Sequence, residues 1–440
     1  MRTGATDARP RNSTAESRLA ADGVNFADLA QETRVHSAVY TDERVFEAEL
    51  QRIFYRTWVY VGHESEVPDA GDYRVRQIGR KPVIMIRAKD GAINVLFNRC
   101  RHRGSTVCQQ DAGRVRQLKC WFHGWVYGLD GKLIGVPEDD GYGEDFDKSA
   151  YGLARPARVE SYREFVFASL SDDGPALTEN LGPACELIDL MVDASPTSKL
   201  LVDAGVQKTV FRGNWKLVGM DGYHAPYVHA SVFEIFKKKA DQGAGATHSA
   251  DQRNIVTTID LGHGHATIDH RVARQRDSTR YFNLLKTTPG GKEYINQMRE
   301  TYGERSELLL TSAGDPHLGI FPNLQLIGNQ IRVVVPVAAD HTEVLAFPVR
   351  LGGVSDEINA RRLRMHESFF GPSGVGTPDD TEVFERAQRG MQVDEAPWID
   401  ISRGKCREVR NPDGTIIGHM TDEVPQRGQF RAWRALMTDV

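Results

Sequence analysis

The 440-residue chain reads as an α+β protein, with a small antiparallel β-domain inserted ahead of a larger domain of strands and helices. Three observations predict this. An amphipathic helix signal follows Thr41, the texture changes near residue 58 to short β-type runs broken by Gly and Asp, and beyond about residue 165 strand-like and helix-like segments mix. The length suffices for two or three cores.

Taken in order, residues 1–22 are small and polar without apolar period, so a flexible N-terminal arm is expected. Residues 23–57 form a helical part assigned to the larger domain: in TDERVFEAELQRIFYRTW an N-cap at Thr41 and early acids precede Val45, Leu50, Ile53 and Phe54. Residues 58–165 hold YRVRQI, PVIMIRA, INVLFN and WVYGLDGKLIGV, with Asp-Gly pairs at 90–91 and 130–131 as hairpin turns. Residues 166–440 supply the strands TVFRGNW, NIVTTIDL, HATIDHRV, GIFPNLQLIG, QIRVVVPVA and TEVLAFPVRL. Ser355 caps a helix that a glycine-proline break at 371–374 ends.

A net charge of −5 without a basic face argues against nucleic acid as the main partner; KKK at 237–239 and RRLR at 361–364 read as short solvated patches. No apolar run approaches the roughly eighteen residues of a membrane span, and the N-terminus lacks a signal peptide's apolar core. The expectation is a soluble, cytoplasmic protein. Cys100, Cys108, Cys120, Cys185 and Cys406 are too few to make a disulfide scaffold.

Two of these cysteines are paired with histidines. Cys100 and His102 form CxH; after seventeen intervening residues Cys120 and His123 form CxxH. A thiolate and an imidazole at each of two hairpin tips can converge on one metal centre. Four such ligands commonly mean tetrahedral zinc, but zinc modules favour like-with-like pairs in sequence. One soft and one borderline ligand per loop suits a 2Fe-2S centre with two thiolates on one iron and two imidazoles on the other. Cys108 falls outside the pattern and reads as a small buried residue.

A second cluster lies in NWKLVGMDGYHAPYVH, residues 214–229, with Asp221, His224 and His229. Lys216, Leu217, Val218 and Met220 suit a helix, which puts Asp221 and His224 on one face. His224 and His229 share a face only where the helix is widened or disturbed, as by Pro226. An ordinary amphipathic helix is the plainer reading. His263 and His265, in HGH, are a rival pair that fits a pocket wall or the surface.

In NRCRHRG, CWFHGWVY, GNWK, DGYH and GPSGVGTPDD the chain, from about residue 40 onward, resembles the large (alpha) subunits of Rieske-type non-haem iron ring-hydroxylating oxygenases, most of all the benzoate-type branch. The resemblance implies a Rieske 2Fe-2S cluster on Cys100, His102, Cys120 and His123. It also implies a mononuclear iron on His224, His229 and Asp380, and a curved, helix-covered antiparallel sheet of the helix-grip type. Asp380 otherwise reads as an acid in the first turn of a helix opened by Thr377 and Pro378. Asp221 would bridge a cluster histidine of one subunit to an iron histidine of its neighbour. Implied partners are a reductase carrying NAD(P)H electrons, with or without a ferredoxin, and a homotrimer of this chain, with or without a small beta subunit. The implied reaction is dihydroxylation of an aromatic ring. A Rieske monooxygenase that hydroxylates or O-demethylates would use the same ligands; a zinc-stabilised ligand-binding protein and a pure electron carrier are further alternatives. Met220 and Phe233 are candidate pocket residues, equally compatible with the core. Related sequences have seven residues between the Lys of NWK and the Asp of DGYH; here only Leu217 to Met220 intervene.

Overall fold

The computed structural model describes residues 24–221, 255–276, 278–312, 317–374 and 376–439, with backbone alone at Met220, Asp221 and Ser312. The amphipathic signal after residue 41 becomes a helix over Glu43–Glu49 that widens into a π-helical turn over Leu50–Phe54. Asp42, rather than Thr41, caps it: its carboxylate accepts the Arg44 N–H at 2.8 Å, while Thr41 ends a preceding short helix.

The β-type runs form three small sheets. One has the order Ile93–Phe97, Lys81–Arg87, Asp72–Ile78, Ala112–Arg114; a second joins Leu118–Lys119, Val126–Tyr127 and Leu133–Gly135. Both Asp-Gly pairs lie between paired strands, with Gly91 and Gly131 at φ of 88° and 79°. Tyr73, Ile84, Ile86, Leu96, Trp125 and Tyr127 close a core that also contains Cys100 and Cys120. In the third sheet Val59–His63 pairs with Phe165–Ser169, which pairs with Arg158–Tyr162.

Among the described residues the larger domain is built on a nine-stranded antiparallel sheet. Its order is Gln207–Phe211, His341–Pro348, Gln330–Ala338, Leu324–Ile327, His317–Ile320, His265–Asp269, Thr257–Gly262, Ile416–His419, Val409–Arg410. GIFPNLQLIG is thus two strands rather than one. Four helices bear on the candidate sites: Trp215–Asp221; Asp356–Phe370, capped by Ser355; Thr377–Gly390, with Pro378 in its first turn; and Val424–Thr438. The N-terminal helix shares one apolar core with the larger domain, where Phe46 and Phe54 meet Trp215, Phe430 and Trp433. Edge-to-face contact of Phe54 on Trp215, centroids 5.0 Å apart, adds to that burial. No helix among the described residues is long and apolar enough to cross a membrane.

Candidate metal centres

Cys100 and Cys120 sit in two loops that fold in matched ways. The Cys100 N–H donates to the Ser105 carbonyl and the Cys120 N–H to the Trp125 carbonyl, both at 2.8 Å. A glycine closes each turn: Gly104 N–H reaches the Cys100 carbonyl at 3.0 Å, and Gly124 N–H the Cys120 carbonyl at 2.9 Å. Both glycines have positive φ, 79° and 73°, which a Cβ would penalise. Hence a glycine follows each histidine. Buried Asn98 clamps the first loop, donating to the Cys108 carbonyl at 2.7 Å and accepting from Val107 and Cys108 N–H at 2.8 and 2.9 Å.

Within this frame thiol meets thiol and imidazole meets imidazole. Cys100 and Cys120 are buried, carry no disulfide, and lie near enough for each thiol to affect the other's ionisation. Burial, and then the Cys100 neighbour, push the Cys120 thiol up; N–H groups of Phe122 and His123 aimed at its sulfur pull the other way. Tyr127 Oη lies 3.1 Å from Cys100 Sγ and accepts the Arg101 N–H at 3.0 Å. The His102 and His123 rings are 4.6 Å apart, and His102 stacks flat on Trp125 at 5.1 Å. Nδ1 of His102 is buried and meets no hydrogen-bond partner among the described residues, whereas Nε2 faces Tyr142 Oη at 3.5 Å. A buried imidazole nitrogen left so is costly unless it ligates. Paired thiols and paired imidazoles are the donor set of a mixed-ligand 2Fe-2S centre, so these residues fit that group. One tetrahedral zinc would draw all four donors to a point. Among the described residues no three His, Cys, Asp or Glu side chains converge in that way.

The second region begins at Asn214. Its side chain caps the helix Trp215–Asp221 by accepting the Lys216 N–H at 3.1 Å, and donates to the Tyr40 and Ala339 carbonyls at 3.2 and 2.8 Å. Lys216 Nζ then pairs with Glu49 at 2.6 Å, with side chains 2% and 0% exposed. The same carboxylate accepts from Trp215 Nε1 at 2.8 Å and Trp433 Nε1 at 2.6 Å. Burial pushes the Lys216 ammonium down and Glu49 opposes it. NWK is therefore a structural motif that binds three distant helices around one carboxylate. Towards the other end of the helix, side-chain amides take up two carbonyls: Gln325 Nε2 reaches Val218 O at 2.8 Å, and Gln429 Nε2 reaches Gly219 O at 3.0 Å.

Asp380 is half-buried in the first turn of Thr377–Gly390. That helix is bolted to the start of the first: Glu385 accepts the Arg212 N–H at 3.0 Å and Gln388 the Asn214 N–H at 3.1 Å. Near Asp380, buried Arg332 lies over the Phe370 ring, 5.7 Å from its centroid. Burial works against its charge and Asp380 works for it.

The residues singled out by sequence are brought together in pairs, Cys100 near Cys120 and His102 beside His123; Asp221 ends the helix that Lys216 anchors, and Asp380 opens the helix bolted to it. His224, His229 and Phe233, and the side chains of Met220 and Asp221, lie outside the described residues. With four residues between Lys216 and Asp221, anchor and acid share one seven-residue helix. HGH divides. His263 is exposed, while His265 is fully buried, accepting the Phe321 N–H at Nδ1 and facing the Asn180 carbonyl at Nε2, both at 3.0 Å. That makes His265 a fixed core residue rather than a pocket wall. Cys108 is buried with its thiol pushed up to about 12, as fits a non-ligand.

Paired thiols and imidazoles in a small β-domain, ahead of a helix-backed antiparallel sheet, define an iron–sulfur oxidoreductase. Residues 57–161 match the Rieske 2Fe-2S domain family, and residues 198–412 the catalytic domain of the ring-hydroxylating alpha subunit. The large subunit of anthranilate 1,2-dioxygenase from Acinetobacter baylyi is 36% identical, over 92% of this chain and 90% of that one. Toluate 1,2-dioxygenase subunit alpha from Pseudomonas putida is 34% identical, over 89% and 87%. N,N-dimethyl phenylurea N-demethylase subunit alpha from a Sphingobium species is 32% identical, over 92% of each chain. A naphthalene 1,2-dioxygenase variant bound to phenanthrene superimposes with a TM-score of 0.81 at 25% identity, covering 94% and 96%. The chain belongs to the Rieske ring-hydroxylating oxygenase alpha-subunit family, on its benzoate-type branch. Its cofactors are accordingly a Rieske 2Fe-2S cluster and a mononuclear non-haem iron.

Proposed function

We propose that the chain is the terminal oxygenase component of a multicomponent dioxygenase that cis-dihydroxylates a benzoate-like aromatic substrate. Dioxygen is the co-substrate, and NAD(P)H electrons arrive through a reductase, with or without a ferredoxin. The observation that carries this reading is the segregation of donors at the two loops: two buried thiols that affect each other's ionisation, and imidazoles 4.6 Å apart. Cys100 and Cys120 hold one iron of the cluster, His102 and His123 the other. His224, His229 and Asp380 would hold the mononuclear iron, a donor set of two imidazoles and one carboxylate that suits an iron that activates dioxygen. When bound, these groups supply single electrons and the reductive activation of dioxygen.

The chain's own residues bind, orient and hold protons. Tyr127 lies within hydrogen-bonding distance of the Cys100 sulfur, and the Phe122 and His123 amides favour negative charge on that of Cys120. Glu49 and Asn214 fix the helix that leads to His224. Asp221 would accept an imidazole N–H and so hold the tautomer and orientation of His224. In a homotrimer it would join His123 of one subunit to His224 of the next. Trp121 and Phe122, 72% and 58% exposed beside His123, offer an apolar edge for a neighbouring subunit to cover. A small beta subunit fits the same assembly. Residues 58–165 are then the cluster domain, residues 23–57 and 166–440 the catalytic unit, and Met220 and Phe233 pocket residues.

The test is product analysis with aromatic acids, a surrogate reductase and labelled dioxygen: a cis-diol carrying two labelled atoms is expected, and absence of any ring oxidation across the panel contradicts the reading. The second reading is a monooxygenase that hydroxylates or removes a methyl group, favoured by the N-demethylase relative. It predicts a single labelled atom. Asp221→Asn is expected to keep cluster colour and iron yet lose most turnover, and normal coupled turnover in that variant would sink the bridge.

A further inference from the structure

The strand Gln330–Ala338 is apolar except near its start, where Gln330 and Arg332 interrupt the run. Both are buried, at 0% and 6% exposure. Two residues apart on a strand, they share one face of the sheet. Directly opposite Arg332 on the next strand is Gln325, and directly opposite cross-strand residues also share a face. Gln325 reaches Val218 O, so this face looks at the helix Trp215–Asp221. Behind Arg332 stands the helix Asp356–Phe370, whose Phe370 ring the guanidinium overlies and whose His366 ring lies 5.9 Å from Phe370. Asp380 is near enough for its charge to be felt at the guanidinium.

Much of the polar capacity of this patch is unspent among the described residues: Gln325 Nε2 bonds Val218 O and His366 Nε2 faces Gln207, but the rest finds no such partner. Among the described residues the Arg332 guanidinium meets no carboxylate or carbonyl at hydrogen-bonding distance, and it lies over the Phe370 ring. Both amide atoms of Gln330, Oε1 of Gln325 and Nδ1 of His366 are buried and equally without hydrogen-bond partners among the described residues. An interior cation with no counter-ion in hydrogen-bonding contact, beside the unpartnered Gln330 amide and Gln325 Oε1, is unstable unless something polar and anionic fills the space. A pocket for an unsubstituted hydrocarbon needs none of these groups.

We infer that Arg332 is the specificity-determining residue for an aromatic carboxylate, its planar fork taking both carboxylate oxygens while the Phe370 ring covers the guanidinium face. This rests on the oxygenase reading, with Asp380 at the mononuclear iron. Arg332 then anchors the substrate's acid group on the sheet, and Gln330 supplies the next donor on the same face. The carboxylate also neutralises the buried cation, so acid and neutral analogues of one shape should differ in affinity far more than their size predicts.

The experiment is anaerobic titration calorimetry of the cluster- and iron-loaded enzyme with benzoate and with benzamide, its neutral isostere. Wild type should bind benzoate about 30-fold or more tighter than benzamide, as a desolvated bidentate pair predicts. Arg332→Gln should remove about that factor for benzoate, leave benzamide within about 3-fold, and keep its iron; Arg332→Lys should recover part of the loss. Equal affinity of wild type for the two ligands overturns the inference, and needs no variant to fold. Loss of iron from Arg332→Gln also overturns it, since Arg332 would then serve Asp380 and not the substrate. Benzoate bound through Arg332 without ring oxidation leaves the inference standing and removes the dioxygenase reading; oxidation of neutral arenes without benzoate binding does the reverse.

Discussion

The loops carrying Cys100 and Cys120 are closed by hydrogen bonds between residues four or five apart and braced by others no more than 26 apart, whereas the helix Trp215–Asp221 is held by Gln325, Lys216–Glu49 and Gln429 contacts spanning 107, 167 and 210 residues. One candidate centre is thus built locally, from tight turns with glycine where φ must be positive. The other is assembled by the whole fold. A local site survives wherever its own hairpins form. A site assembled from afar is only as rigid as the core around it, so damage remote from the iron should be felt there first.

The largest expected effect follows from the buried carboxylate. Glu49→Ala strips Lys216 of its counter-ion and two indole N–H groups of their acceptor, which should lower stability by about 3–5 kcal/mol in urea denaturation. The mononuclear iron should be lost while the cluster's colour, which depends on the loops, remains in the folded protein. A loss below about 1 kcal/mol would break the contrast.

Acid should weaken both regions alike, because each flanking sheet holds one buried histidine. Burial lowers His63 and His265 from 6.5 to about 3. The unfolded chain takes up these protons below pH 6.5 and the folded chain does not. Their stabilisation is therefore complete above 6.5 and is lost as pH falls towards 3, at up to about 1.4 kcal/mol per pH unit for each histidine. Urea midpoints between pH 7 and pH 5 measure the slope; His265→Gln should remove one histidine's share of it, and an unchanged slope would count against the buried neutral ring.

The smallest effect probes the local site. Tyr127→Phe removes the hydroxyl 3.1 Å from Cys100 Sγ, and losing a hydrogen bond to a cluster sulfur should lower the reduction potential by about 20–60 mV with little change in stability. Protein-film voltammetry reads it directly, and an unmoved or raised potential would contradict the contact.

The same contrast explains what was legible from sequence. Cys100 with His102, and Cys120 with His123, could be paired because each loop carries its two donors within four residues. Ser355 and the Pro378 helix start were legible for the same local reason. Glu49 was not, since Glu43, Glu47 and Glu49 look alike in one helix. The signal was there: Glu49 lies in the apolar stripe of Val45, Phe46, Leu50 and Ile53, where a carboxylate must have partners. Arg332 carried a similar mark, one cation inside an apolar strand. Its neighbours Phe370 and Asp380 could not be foreseen, because they come from helices that only the fold brings to that sheet face.

The most direct measurement is iron and sulfide analysis, with electron paramagnetic resonance of the reduced protein, for wild type, Cys100→Ser and Asp380→Ala. Wild type should hold about three irons and two sulfides per chain. Asp380→Ala should lose about one iron and keep both sulfides and the Rieske signal, and Cys100→Ser should lose the sulfides and the signal. Full iron in Asp380→Ala, or a Rieske signal persisting in Cys100→Ser, would contradict two separately built centres.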